Sequence, residues 1–496
     1  MSNPTRHAAS TALGQQALDR GNLPGAERHF RRALQDNPGD TEAIRGLGYV
    51  LFQLNRLAEA LPLLQEVVQR APADLLGRLL FGRLCLRLHE PDLAEKQFQR
   101  ILKKFPTSES ALSGLVDVNI ARNQADQARL LAQRILAINP RSEIGLLASA
   151  HAAEHQRAFD EAHARLEQLV TLSPQDVRYR YHRSRSLLRQ GLFDAGWADY
   201  EFRFAAGKAF LPPLDSPRWR GAPIGHLLLV AEQGLGDTLQ FSRFIRQAKP
   251  IARRITLACQ PALISLLARS FEIDTIDVAS TEWPAHEAHL PLQSLPHVLG
   301  LGENTLAPAG RYLTPDPKCR MRWEQRLPPS ENRVRVGIVY ASSVAHFTEQ
   351  FPQTRRSCPL ADLDPLAELG NIDYFGLQIG VTESGTALQR CWCDLSGEIR
   401  DFDDTAAIVD ILDVLVCVDT SVVHLAGALE KPVALLLPYS ADWRWMQKED
   451  TTDWYASVRL FRQKRPGDWS EAVTGVKGIL TELARRVKHE PVPPSV

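Results

Sequence analysis

Pro38, Pro72, Pro106, Pro140 and Pro174 recur every 34 residues, each directly after an apolar segment that ends in Asn37, Ala71, Phe105, Asn139 or Ser173. Proline stops a helix, and a fixed period of this length marks stacked helical hairpins, each of which buries its apolar face only against its neighbours. Interior positions keep the same beat. Gly14, Gly48, Gly82 and Ala150 fall on the first helix of a hairpin, Ala26, Ala60, Ala94, Ala128 and Ala162 on the second, and Phe30, Leu64, Phe98 and Leu166 four places later. Close crossing of two helices needs small residues at the contact and bulky ones beside it. Val116 and Ser184 depart from the small-residue rule.

These positions together resemble the tetratricopeptide repeat over residues 7–204, with five clear units and a degenerate sixth from Val177, in which Gly196 and Tyr200 hold the expected places. The resemblance implies a curved surface for a peptide or protein partner. A spacer or a dimer-forming element is the plainer alternative.

The period then changes. Residues 205–225 are rich in Gly and Pro and read as a linker. His226 to Ala231 reads as a short buried strand, Glu232 to Thr238 as a glycine turn and Leu239 to Gln247 as an amphipathic helix. Strands alternate with helices onward, which predicts one α/β domain over 226–326 and a second over 333–485, with a disordered tail over 486–496. Two such domains make a cleft between them, a common place for a ligand.

At 496 residues and 44% hydrophobic content the chain has ample material for several cores. Lysine plus arginine equals aspartate plus glutamate at 58 each, so no global field argues for nucleic acid or an anionic membrane. The start of the chain is polar and lacks the apolar core of a secretory signal, and no stretch is apolar enough to span a bilayer, so a cytoplasmic location is expected. Seven cysteines fit reduced thiols better than a disulfide framework. Cys391, Cys393, Cys358 and Cys417 match no common zinc spacing, and Asp362-x-Asp364 and Asp401-x-Asp403 read as local acids, with Asp403 and Asp404 expected to cap a helix near Thr405. No metal is expected.

Leu412 to Val418 is an apolar strand that ends abruptly in Asp419-Thr420-Ser421, and a small-residue helix begins there. The first N–H groups of a helix have no internal partner and sit at the positive end of its dipole, so such a turn can hold a phosphate. Thr420 and Ser421 add hydroxyls, and His424 lies one turn in. An ordinary capped helix, with Asp419 or Thr420 as N-cap, is the alternative. Gly234-x-Gly236-Asp237 is a second strand-to-helix turn, whose glycines let backbone approach a ligand closely. It lacks the third glycine of the dinucleotide fingerprint. Asp237 there is either a general base facing the cleft or a helix cap.

Glu232 to Thr238 and Asp419-Thr420-Ser421-x-x-His424-Leu425-Ala426-Gly427 are joined by further matches in order: Pro291-Leu292-x-Ser294-Leu295-Pro296, Arg356-Ser357-x-Pro359-Leu360, Leu377-Gln378, Asp401-Phe402-x-Asp404-Thr405, Pro438-x-x-x-Asp442-Trp443-Arg444-Trp445, and Trp454-Tyr455 through Arg459 to Gln463. With the repeats, this ensemble resembles bacterial tetratricopeptide proteins that carry a heptosyltransferase-like domain, the family 9 type of the GT-B glycosyltransferases, over residues 7–485. The resemblance implies a helical solenoid followed by a GT-B unit of two Rossmann-like α/β domains. It implies transfer of a sugar from a nucleotide-sugar donor, bound by the second domain, to a protein or other large acceptor presented by the repeats, without a cofactor or metal. By similarity, Asp419, Thr420, Ser421 and His424 hold the donor diphosphate and Asp237 is the base of an inverting displacement. Gly234, Gly236, His346, Arg356, Gln378, Trp443 and Arg444 are further candidate substrate contacts.

One segment departs from that pattern. Relatives generally read Trp-Ala-Gly-Asn-Pro-x-His, where this chain has Tyr340-Ala341-Ser342-Ser343-Val344-Ala345-His346, and the expected Asp and Arg are absent from Phe351 to Thr354. The altered 342–354 loop leaves a non-enzymatic, protein-binding scaffold as the main alternative. A small-molecule or lipid-linked acceptor, with the repeats serving assembly, is the third.

Overall fold

The computed structural model describes residues 4–280, 282–303, 305–330, 332–342, 356–380 and 384–489. His346 and residues 343–354 of the departing loop lie outside them. The chain divides into two compact units, one of residues 4–172 and one that begins at Ser173 and carries two parallel sheets.

The first unit is a run of five helical hairpins: α1 (Pro4–Asp19) with α2 (Leu23–Asp36), α3 (Thr41–Gln53) with α4 (Leu57–Arg70), α5 (Leu75–Arg87) with α6 (Pro91–Lys104), α7 (Glu109–Ala121) with α8 (Ala125–Ile138), and α9 (Glu143–His155) with α10 (Phe159–Leu172). Two residues after a recurring proline, a capping residue opens the next hairpin. Asp40 accepts from the N–H groups of Glu42 and Ala43, Asp74 from Gly77 and Ser142 from Gly145. Inside each hairpin the turn carries a left-handed residue, again every 34 positions: Gly21, Asn55, His89, Asn123 and Arg157, with φ between 58° and 71°. Glycine, asparagine and histidine are enriched in that conformation, whereas arginine gives no sequence signal for it. Small-against-large packing is as the period predicts. A Cβ at Gly82 would stand 2.7 Å from the ring of Phe98, which is fully buried.

The second unit opens with a sixth hairpin, α11 (Val177–Arg189) and α12 (Phe193–Tyr200), whose turn residue Gly191 has φ 79°. There follow β1 (Ile224–Val230), α13 (Leu235–Ser242), α14 (Ile245–Ala248), β2 (Ala252–Cys259), α15 (Ile264–Phe271), β3 (Asp274–Asp277), β4 (Ala288–Pro291), α16 (Leu295–Val298) and α17 (Pro317–Arg326). The last part comprises β5 (Val334–Val339), β6 (Ile372–Gly376), β7 (Trp392–Asp394), α18 (Phe402–Ile411), β8 (Val414–Val418), α19 (Ser421–Ala428), β9 (Val433–Leu437), β10 (Val458–Arg462) and α20 (Ser470–His489).

Strands β1 to β4 form one sheet in the order β3-β2-β1-β4, and β5 to β10 another in the order β10-β9-β8-β5-β6-β7, with every pairing parallel. The second sheet is doubly wound, with strands added outward on both sides of the central pair β5 and β8. One core is continuous from Leu188, Phe193, Trp197 and Tyr200 of the sixth hairpin through the first sheet to Leu415, Cys417 and Leu435 on one face of the second. The opposite face of the second sheet, with Val336, Ile338, Val416 and Leu436, is covered by α20 through Val473, Val476 and Leu480.

Four expected details differ. The sixth hairpin belongs to the sheet unit, because its aromatic side chains share that core. Strand β1 starts at Ile224, within the expected linker, since Ile224 pairs with Ala252. Helix α20 continues to His489, past the expected domain end at 485. Asp401, not Asp403 or Asp404, is the N-cap of α18 and accepts from Asp404 N–H at 2.9 Å. The Asp404 carboxylate is fully buried, where Arg322, Arg400, Trp323 Nε1 and Cys319 Sγ all donate to it.

Candidate functional site

In a parallel sheet every strand ends on the same edge, and the crevice opens where the strand order reverses. In the first sheet that point lies between β1 and β4, and the loop after β1 is Ala231 to Gly234. In the second it lies between β5 and β8, and the loop after β8 is Asp419-Thr420. Both glycine- or hydroxyl-bearing turns therefore occupy switch points, and each opens an eight-residue helix, α13 and α19.

The two helix starts meet. A Cβ on Gly236 would stand 3.0 Å from His424 Cδ2 and 3.3 Å from Ser421 Cα. Asp237 accepts from Gly234 N–H at 3.0 Å through Oδ2, and its Oδ1 accepts from Arg444 Nη2. It is thus both a helix cap and an ion-pair partner. Arg444 has no idle edge: Nε donates to Gln240 Oε1 at 3.0 Å and Nη1 to Asp442 Oδ1 at 2.8 Å. Burial opposes its charge, yet Asp237 and then Asp442 hold it firmly protonated. Burial pushes the Asp442 carboxyl up, but the charges of Arg444, Arg185 and Arg356 together hold it well below the usual carboxylate range.

At the second turn, Thr420 is the N-cap and its Oγ1 accepts from Val422 N–H at 3.3 Å. Asp419 is buried, which raises its pKa against the pull of Arg356, whose Nε lies 3.7 Å from Oδ2. His424 is buried as well. Its ring stacks on Trp445 at 5.4 Å, and Nδ1 lies 3.0 Å from the Tyr455 hydroxyl. Burial, reinforced by the Arg444 charge, pushes its pKa down to about 3, so the imidazole is neutral. Gln378, past the end of β6, accepts through Oε1 from the N–H groups of Tyr340 and Ala341 at 3.2 and 2.8 Å.

Asp237, Gly234, Gly236, Asp419, Thr420, Ser421, His424, Arg356 and Arg444 accordingly belong to one cluster. Gln378 supports the neighbouring strand ends. Trp443, expected among the substrate contacts, is buried with its ring 5.9 Å from Trp197 and 6.1 Å from Tyr200, a core residue rather than a platform for a base. Asp442, Gln240, Tyr455 and Arg185 join the cluster without having been candidates on sequence grounds. Of these, Asp442 and Tyr455 carry a sequence signal, as members of the Pro438 to Trp445 and Trp454-Tyr455 matches. Beside the first turn, Glu232 and Arg203 form a fully buried ion pair at 2.8 Å, and Arg203 Nη2 also donates to Ser294 Oγ at 2.7 Å. Among the described residues no group of three or more His, Cys, Asp or Glu is placed to hold a metal, and no helix is long and apolar enough to cross a membrane.

Comparison with known proteins identifies the N-terminal helices. A tetratricopeptide repeat family model matches residues 11–74 and 147–201, and a second matches 55–109. The helical part is therefore a tetratricopeptide-repeat solenoid followed by a region of parallel sheets, and such repeats suggest protein partners. The chain is 23% identical over 472 residues to Protein FlbA of Caulobacter vibrioides, covering 81% of this chain and 78% of that one. It is 25% identical over 240 residues to Cellulose synthase 1 operon protein C of Komagataeibacter xylinus, covering 38% of this chain and 18% of that one. A third relative is Protein O-mannosyl-transferase Tmtc3 of Drosophila melanogaster, 26% identical over 129 residues, with 26% of this chain and 14% of that one covered. The chain thus spans most of the first relative and under a fifth of the other two. Among solved structures, a thermophilic TPR protein of Thermus thermophilus aligns with a TM-score of 0.34 and 22% identity over 37% of this chain and 99% of that one.

Proposed function

We propose that the chain is a glycosyltransferase of the GT-B class, which moves a sugar from a nucleotide-sugar donor to a protein or other large acceptor presented by the repeats. The observation that carries the reading is the meeting of two helix N-termini, at Gly234 and Thr420, beside Arg356 and Arg444 at the switch points of two parallel sheets. Helix-start N–H groups and guanidinium groups converging on one place suit a diphosphate. In this reading the turn from Asp419 to His424 binds the donor and stabilises charge as the nucleotide leaves. Asp237 takes the proton of an acceptor hydroxyl that attacks the anomeric carbon from the opposite face, giving inversion without a metal. Two of the three relatives carry names that belong to glycan synthesis, which agrees with it but over short shares of their length.

A second reading, a binding scaffold without catalysis, has its own support. Both oxygens of Asp237 are engaged and His424 is enclosed by Trp445 and Tyr455. The deciding experiment combines melting of the purified chain with a panel of nucleotides and nucleotide sugars, and mass spectrometry of co-expressed proteins. A ligand at a hundred times its dissociation constant adds about 2.7 kcal/mol to stability. A shift together with added hexose, heptose or deoxyhexose mass supports transfer. The absence of both favours the scaffold.

A further inference from the structure

The sixth hairpin reaches the site in a way that no repeat pattern requires. Arg189, at the end of α11, donates from Nη1 to the carbonyl of Ala441 at 2.9 Å. One turn earlier, Arg185 brings Nη2 to 3.8 Å from Asp442 Oδ2. On α12, Trp197 and Tyr200 pack against the ring of Trp443. Three consecutive residues are each held by the hairpin, and the next one is Arg444. The arginines of α11 divide their work. Arg180 and Arg183 donate to Asp199 of α12 at 2.9 and 2.7 Å and close the hairpin on itself, whereas Arg185 and Arg189 turn outward to the 441–442 segment.

Asp442 is the joint in this arrangement. One oxygen accepts from Arg444 and the other faces Arg185, so two guanidinium groups share a single buried carboxylate. An entering diphosphate must compete with Asp237 and Asp442 for the Arg444 N–H groups. The more of the Asp442 charge that Arg185 balances, the less Asp442 restrains Arg444 from turning to the phosphate.

We infer that Arg185 is a positioning residue for anion binding at the switch points, acting through Asp442 on Arg444, so that the last tetratricopeptide hairpin sets the affinity of the sheets for a nucleoside diphosphate. This rests on the donor reading above. It gives the repeats a second role, because whatever displaces α11 alters the donor site as well.

Calorimetric titration of UDP, GDP, CDP, dTDP and ADP into the full chain tests it, with Arg185→Ala and Arg185→Lys compared to the wild type and melting temperatures taken on the same samples. The expected result is a nucleotide that binds the wild type, binds Arg185→Ala about tenfold more weakly at an unchanged melting temperature, and is largely restored in Arg185→Lys. Equal affinity in wild type and Arg185→Ala overturns the inference and leaves the donor reading standing. So does a loss that follows a fallen melting temperature and is not restored by lysine, which marks a merely structural residue. If no nucleotide binds the wild type, the donor reading fails first and the inference falls with it.

Discussion

Arg444 and Asp237, 207 positions apart in the chain, form an ion pair that ties the turn after β9 to the start of α13. The pair joins the two sheets at the point where both are cut open by their strand order. Replacing Arg444 with alanine removes the guanidinium between Asp237 and the buried Asp442 and leaves Asp442 to the more distant charges of Arg185 and Arg356, at a cost of roughly 3 kcal/mol, read from the urea midpoint. Asp237→Asn keeps a hydrogen-bonding side chain in place. In the transferase reading it abolishes turnover and spares nucleotide binding; a working transfer assay in which Asp237→Asn turns over normally would remove Asp237 from the mechanism.

His424 makes the fold sensitive to acid. Its folded pKa of about 3 lies below the ordinary 6.5, so the unfolded chain takes up a proton that the folded chain refuses. Stability from this residue is complete above pH 6.5 and is lost as the pH falls toward 3, by about 2 kcal/mol at pH 5. His424→Phe keeps the stack on Trp445 and removes the titration. Urea unfolding at pH 5 and pH 8 should show a smaller gap between the two pH values in His424→Phe than in the wild type; an equal gap would show that another group carries the dependence.

Asp404 is the acceptor for two arginines, an indole and a thiol, and joins α17 to α18. Asp404→Ala leaves the buried Trp323 indole and Cys319 thiol without that acceptor, while Arg322 and Arg400, which reach the surface, turn to water, and a loss of about 1–3 kcal/mol is expected. The measurement is the urea midpoint, with the slope unchanged.

Gly236 and Gly234 differ in what an added methyl would meet. At Gly236 an added methyl meets the His424 ring and Ser421 backbone, which forces α13 from α19. Gly236→Ala should cost about 1–3 kcal/mol and weaken any nucleotide binding. At Gly234, φ is −73° and the nearest atom to a Cβ is an Asp237 oxygen at 3.2 Å, so Gly234→Ala should cost distinctly less. Melting curves of the two variants side by side test the contrast.

The helical half is legible in the sequence because translation by one repeat maps each contact onto the next, so Gly82 against Phe98 is announced by Gly48 against Leu64. The left-handed turn at Arg157 is not, since only its place in the period, and nothing in its side chain, sets it there. At the site, the strand–turn–helix order around Asp237 and Asp419 can be read locally. The Arg444 bridge cannot, because its partners come together only through the packing of two sheets. Three acids, Asp401, Asp403 and Asp404, crowd one helix start and each suits a cap by residue type; backbone geometry alone selects Asp401. The sixth hairpin obeys the repeat pattern at Gly196 and Tyr200 and still goes to the sheets, because the same aromatic residues that suit a repeat also suit their core.

That allegiance of the sixth hairpin makes the protein modular in an unequal way. Whole 34-residue units can be gained or lost ahead of Ser173 without altering any residue of the switch-point cluster. The number of repeats is then free to drift, while the sixth hairpin is bound to the sheets by the core they share.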